Sequence, residues 1–120
     1  MTFVGQGAIM VLADGRRIPA AFLQKGDVLA DGGVVQLVLR RVHKSRFVTF
    51  NSVTFALPGF FADQRNNRVD LAGLGEAFRG TLLVVSPVTS TGEYTAGGLR
   101  CFSAAQPVWA RAKENGVVDF

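Results

Sequence analysis

The hydrophobic positions of this chain fall into short runs that break at Gly, Pro, Asn or Asp, the rhythm of strands and tight turns. Gly7 to Ala30 sets the pattern: an apolar strand, an Asp14-Gly15 turn, a short second strand stopped by Pro19, a single helical turn, and a Gly26-Asp27 corner that feeds another strand. Gly15 can take the positive φ of a tight hairpin. Gly26-Asp27 joins a permissive backbone to a side chain able to bond amides just downstream. The stretch predicts a compact β corner around Leu12, Ile18, Leu23 and Val28.

Met1 to Val4 forms a short lead-in to this corner, and Asp31-Gly32-Gly33 is a second hairpin signal after it. Val34 to Val42 then reads as a long strand whose nearly uninterrupted apolar run suits burial on both faces or a crossing between sheets. Arg40, Arg41, His43, Lys44 and Arg46 at its end read as an exposed polar turn. Phe47 to Phe50 alternates, Asn51-Ser52 turns and Val53 to Leu57 returns, a hairpin that Pro58-Gly59 ends because proline lacks the ladder donor. Ala62 to Arg68 is the most polar stretch and reads as a surface loop. Between Val69 and Arg79 a loose helical spacing is broken by Gly73 and Gly75, each costing about 1 kcal/mol inside a helix, so at most one or two turns are expected. Thr81 to Val85 is a strand that Ser86-Pro87 stops. Glu93 to Ala96, Leu99 to Phe102, Val108 to Ala112 and Gly116 to Val118 complete the series. Roughly ten short strands with frequent turns and no repeat or linker predict a single all-β domain, residues 1–120, built as a barrel or sandwich.

Composition narrows the possibilities. With 48% hydrophobic and 18% charged residues, the chain fills a core and is not disordered. No apolar run reaches the length of a membrane-spanning helix, and the N-terminus lacks the basic start of a secretory signal, so a cytoplasmic protein or one assembled into a particle is expected, without membrane contact. One cysteine, Cys101, and one histidine, His43, provide neither an internal disulfide nor a metal cluster. No cofactor and no small-molecule ligand is expected. The net charge of +4 is compatible with an acidic partner without requiring one.

The Gly7 to Ala30 corner resembles the opening of Hint domains, the self-processing fold of hedgehog proteins and inteins. There the succession is Gly-Thr-x-hydrophobic, Asp-Gly followed by Pro-hydrophobic, and Leu-x-x-Gly-Asp-x-Val-Leu. Val35 to Leu39 running to His43 is similar to the family's central strand with its His-containing turn. Val84 to Tyr94 and Gly98 to Phe102 resemble the late hedgehog-type segment that ends in Ser-Cys-Tyr. The resemblance spans residues 3–105 and implies a compact Hint-like arrangement of hairpins. It also implies a chemistry: a thiol or hydroxyl at the first residue of the domain attacks the preceding carbonyl, helped by a Thr-x-x-His motif.

Here the position of the nucleophile is Phe3, which has no nucleophilic atom. The Thr-x-x-His motif falls on Thr54-Phe55-Ala56-Leu57, and Leu57 cannot transfer a proton. Ala8 replaces the threonine beside the opening glycine, and Asn115 is followed by Gly116 instead of a nucleophile. Met1 and Thr2 precede Phe3 in this sequence, so no N-terminal partner for release is expected. The reading is a non-catalytic Hint-like domain that acts as a structural or protein-interaction component of a larger assembly, by self-assembly or with a protein partner. A virion or capsid-decorating protein is one concrete version.

Two alternatives use particular residues. Cys101, with His43 as base, could serve a thiol-dependent processing or hydrolytic enzyme, although a cysteine between Leu99 and Phe102 in a strand is also simply a small buried hydrophobe. The basic residues Arg40, Arg41, Lys44 and Arg46 could grip nucleic-acid phosphates, or form a solvated turn, because a single-stranded site also needs exposed aromatic platforms. Asp14, Asp27 and Asp31 all sit beside glycine, where backbone bonding accounts for them. Adjacent Phe60 and Phe61 cannot easily share one core, so one of them is expected outside as a partner anchor. The candidate partner contacts are therefore Phe60, Phe61, Arg40, Arg41, Lys44 and Arg46.

Overall fold

A computed structural model describes residues 2–59, 61–103 and 118–119. The strands in chain order are β1 (Val4–Gly5), β2 (Ile9–Val11), β3 (Arg17–Pro19), β4 (Val35–Phe50), β5 (Val53–Leu57), β6 (Phe61–Ala62), β7 (Arg68–Val69), β8 (Glu76–Thr89), β9 (Glu93–Ala96), β10 (Leu99–Phe102) and β11 (Val118–Asp119). Single 3-10 turns occupy Ala20–Phe22 and Leu71–Gly73. The expected all-β fold with one or two helical turns is what forms.

The opening corner folds as its glycines dictate. Gly15 takes a φ of +89° between β2 and β3, which pair Met10 with Ile18. Asp14 accepts from the Arg16 amide at 2.9 Å, and the Asp27 carboxylate accepts from the Gln24 amide at 2.9 Å. Asp27 thus bonds upstream, not downstream, because the chain has already turned back over Gln24. Leu12 and Leu23 are buried, but Val28 is 44% exposed and Leu29 takes the inward place. The bridges Leu12 to Leu29 and Val28 to Val34 set that alternation.

Two long strands dominate the rest. β4 and β8 pair antiparallel from Val35 opposite Thr89 to Thr49 opposite Glu76. The basic residues Arg40 to Arg46 therefore lie in the middle of a 16-residue strand, not in a turn. A polar run stays extended here because β8 supplies its backbone partners. Ser86 and Pro87 do not end β8 either. The Pro87 carbonyl accepts from the Ser103 hydroxyl at 2.8 Å, on the edge facing away from β4. Both polar groups of an extended residue point to one edge, so the missing N–H of Pro87 costs no bond to β4.

β4 pairs β5, β5 pairs β1, β1 pairs β8, and β8 returns to β4. The end of the lead-in is thus one strand of a closed ring, with Val4 opposite both Phe55 and Val85. β11 adds to β4 at Val38 and Leu39. A second sheet runs in the order β7, β6, β10, β9. The main core lies between, with Val4, Met10, Leu23, Val48, Phe55, Phe61, Tyr94 and Cys101 all buried. The polar loop between β6 and β7 is tied by Asp63, which accepts from the Arg65 and Asn67 amides. The strand expected at Val108 to Ala112, and Gly116 and Val117 of the last one, lie outside the described residues.

Candidate functional site

The N-terminal junction is buried and held from several sides. The Thr2 amide donates to the Phe102 carbonyl at 2.9 Å, and the Phe102 amide donates to the Thr2 hydroxyl at 3.2 Å. The Thr2 carbonyl accepts from the Tyr94 hydroxyl at 2.8 Å, and the Phe3 carbonyl accepts from the Ala56 amide at 3.0 Å. Thr2 and Phe3 are therefore fixed by β5, β9 and β10, elements far apart in sequence, and the peptide between them is held by Tyr94 of β9.

The Phe3 ring, which the sequence resemblance sets at the position of the nucleophile, packs against two small clusters, Leu37-Leu39-Val88 and Phe47-Ala56-Val84. It stacks on His43 with ring centroids 6.5 Å apart, and the Arg41 guanidinium lies 5.4 Å from its centroid. Arg41 also donates to His43 Nδ1 at 2.8 Å, which leaves the histidine proton on Nε2. Partial burial, then the Arg41 charge, hold the His43 pKa below its ordinary value, so the ring is neutral at pH 7. Leu57, which the resemblance aligns with the motif's histidine, is partly buried against the main core and pairs with Arg46.

Cys101 and His43 are not brought together. Cys101 sits fully buried in the main core on β10, opposite Tyr94 and Phe61, whereas His43 lies on β4 between Phe3 and Phe47. Burial pushes the Cys101 thiol up to about 12, so at neutral pH it is a protonated, apolar group. Among the described residues, no group of His, Cys, Asp or Glu side chains could hold a metal ion.

The basic residues are divided by strand geometry, because alternate side chains take opposite faces. Arg41 and His43 face the Phe3 clusters. Arg40, Lys44 and Arg46 take the other face, where Arg40 is half-buried and donates to the Ala21 and Leu23 carbonyls of the opening corner at 3.1 and 2.9 Å. Lys44 and Arg46 remain exposed beside Val42. The register adds a residue that the sequence reading missed: Arg79 of β8 stands directly opposite Arg46, with Thr81 opposite Lys44. No local signal marks Arg79, since only the pairing of distant strands places it there.

Phe61 is not a surface anchor. It is buried and meets Phe55 edge-on at 5.0 Å, with Cys101 as its cross-strand partner. The strand β6, missed in the sequence, turns it inward. Phe60 lies outside the described residues. A separate open groove of about 570 Å³ runs between the corner and the ends of the β5 and β9 hairpins, lined in part by Ile9, Val11, Val53 and Gly97, with Arg17 and Asp31 as its charged walls. Among the described residues no helix is long and apolar enough to cross a membrane.

No family model and no curated protein matches the chain. Solved structures do. A crystal structure of the gp41-1 intein carrying three substitutions superposes with a TM-score of 0.65 at 11% identity, covering 86% of this chain and 100% of that one. Another crystal structure of the gp41-1 intein gives a TM-score of 0.59 at 12% identity, covering 86% and 99%. The closed β4-β5-β1-β8 ring, the opening corner and the second sheet are thus the architecture of the Hint-like, intein-type fold.

Proposed function

We infer that this domain keeps the Hint scaffold without self-processing and works by binding, as a component of a larger assembly such as a particle or its decoration. The observation that carries the reading is the environment of the Thr2–Phe3 peptide. Its carbonyl is held by Tyr94, yet the side chain beside it is a phenyl ring packed under Arg41 and against His43. An acyl shift needs a thiol or hydroxyl at that place, and Cys101 is buried in another cluster. Binding is supported by what the fold leaves outside: Val42 is 70% exposed between basic neighbours on β4, and Phe22 and Leu74 are more than half exposed.

The test is a fusion that places a short sequence before Met1. Mass spectrometry is expected to find the fusion intact after prolonged incubation with and without added thiol. Cleavage at the Thr2–Phe3 bond overturns the reading.

A further inference from the structure

The stagger of the closed ring leaves part of β8 with an open edge. On the side away from β4, β1 covers only Val84 and Val85, and the Gln6 amide reaches the Leu83 carbonyl at 3.1 Å. The outward residues are therefore the odd-numbered ones, in agreement with Pro87 bonding Ser103 on that edge. Continuing the alternation, the N–H and C=O groups of Ala77, Arg79 and Thr81 point outward, and they find no partner among the described residues. These residues are exposed.

The same parity makes Arg46 and Arg79 a pair without mutual backbone bonds, the type in which facing side chains stand closest. Like charges directly opposite each other on a sheet are destabilising. No ion pair to Lys44, Arg46 or Arg79 occurs among the described residues. Asp70 shares a cleft with Arg46, but its carboxylate accepts from the Ala72 amide. The opposite face of the ribbon is apolar along this edge: Phe78 is 41% exposed and stacks on Phe47 at 5.6 Å, and Leu82 is partly buried.

We propose that the Ala77–Thr81 edge of β8 docks an extended segment of a partner protein whose side chains alternate acidic and apolar, adding it as a strand. The backbone of the segment completes the open ladder. Its acidic residues lie beside Arg79, where they also relieve the repulsion with Arg46, and its apolar residues cover Phe78 on the other face. Single-stranded nucleic acid fits less well, because it needs aromatic platforms on the same face as the cations, and Phe78 and Phe47 lie on the face opposite Arg79, Arg46 and Lys44. This inference rests on the binding role proposed above and gives it a surface and a partner chemistry.

The probe is a short synthetic peptide of strictly alternating valine and glutamate, tested beside its valine and lysine counterpart and oligo-deoxythymidine. The glutamate peptide is expected to bind and to slow hydrogen exchange at the Ala77, Arg79 and Thr81 amides, while the lysine peptide does not bind. Arg79→Glu, checked for an unchanged circular dichroism spectrum, is expected to weaken binding about tenfold or more. N-methylation of alternate peptide amides, which leaves the protein untouched, is expected to abolish binding. Absent binding, protection confined to other strands, preference for the oligonucleotide, or indifference to N-methylation each overturns the proposal. An intact N-terminal fusion together with absent peptide binding removes only this inference, whereas a cleaved fusion removes the reading beneath it.

Discussion

The Tyr94 hydroxyl donates to the Thr2 carbonyl at 2.8 Å, across 92 residues of sequence and inside the core. The bond ties the N-terminal strand to the second sheet and satisfies a carbonyl that water does not reach. Tyr94→Phe keeps the ring but removes this buried bond, at an expected cost of about 1–2 kcal/mol in denaturant unfolding. Hydrogen exchange at the Phe102 amide, which donates to Thr2, is expected to speed up in the same variant. An unchanged midpoint would show that the bond contributes nothing.

Alkaline pH is expected to destabilise the fold. Burial raises Cys101 from 9.0 to about 12, and it raises Tyr94 well above 10.0, with Cys101 adding to the effect. Above pH 9 the unfolded chain releases the cysteine proton and the native chain retains it. Stability therefore falls with rising pH, by up to about 1.4 kcal/mol per pH unit for one group. Cys101→Ala is expected to flatten the slope between pH 9 and 10, as measured by urea midpoints. In the native wild type, the thiol is expected to stay unmodified by an aromatic disulfide reagent at pH 8.

His43 gives the opposite dependence. Its pKa lies below 6.5 in the native chain, first through burial and then through the Arg41 charge. As pH falls through 6.5 the unfolded chain takes up a proton before the native chain does, so stability is lost toward acid. Arg41→Gln removes the charge and the Nδ1 donor, and the titration of the His43 ring protons by NMR is expected to move upward.

Gly75 is required for a steric reason. A Cβ built there stands 2.5 Å from both the Thr49 carbonyl oxygen and Val48 Cγ2, so the start of β8 lies directly on the end of β4. One of those contacts is backbone and cannot rotate away. Gly75→Ala is expected to cost about 1–3 kcal/mol, read as a lower melting temperature. A neutral effect would mean that this strand junction shifts freely.

Much of the fold was legible in the sequence because its signals are local. Gly15 needs its left-handed backbone whatever lies around it, and Asn51-Ser52 turns the chain between two alternating runs. The order of those turns also carried the Hint-like resemblance, and Phe3 and Leu57 were readable as residues without proton-transfer or nucleophilic atoms. Pro87 misled because a proline stops a strand only if its missing donor faces a neighbour, and which edge it faces depends on pairing with β4. Which of Phe60 and Phe61 turns inward was not legible, because adjacency in sequence says nothing of the strand that buries Phe61.

What the chain alone determined, then, is the all-β class, the corner and a phenyl side chain without a nucleophilic atom at Phe3, since each follows from a residue's own backbone preference or functional group. What tertiary structure decided is where the charge points. Arg40, Arg41, Lys44 and Arg46 form one cluster in sequence but two faces in space, and Arg79 joins one of them only through the register of β4 on β8. That register is a long-range property, set by how the closed ring buries Val48, Phe55 and Val85, and no local pattern encodes it.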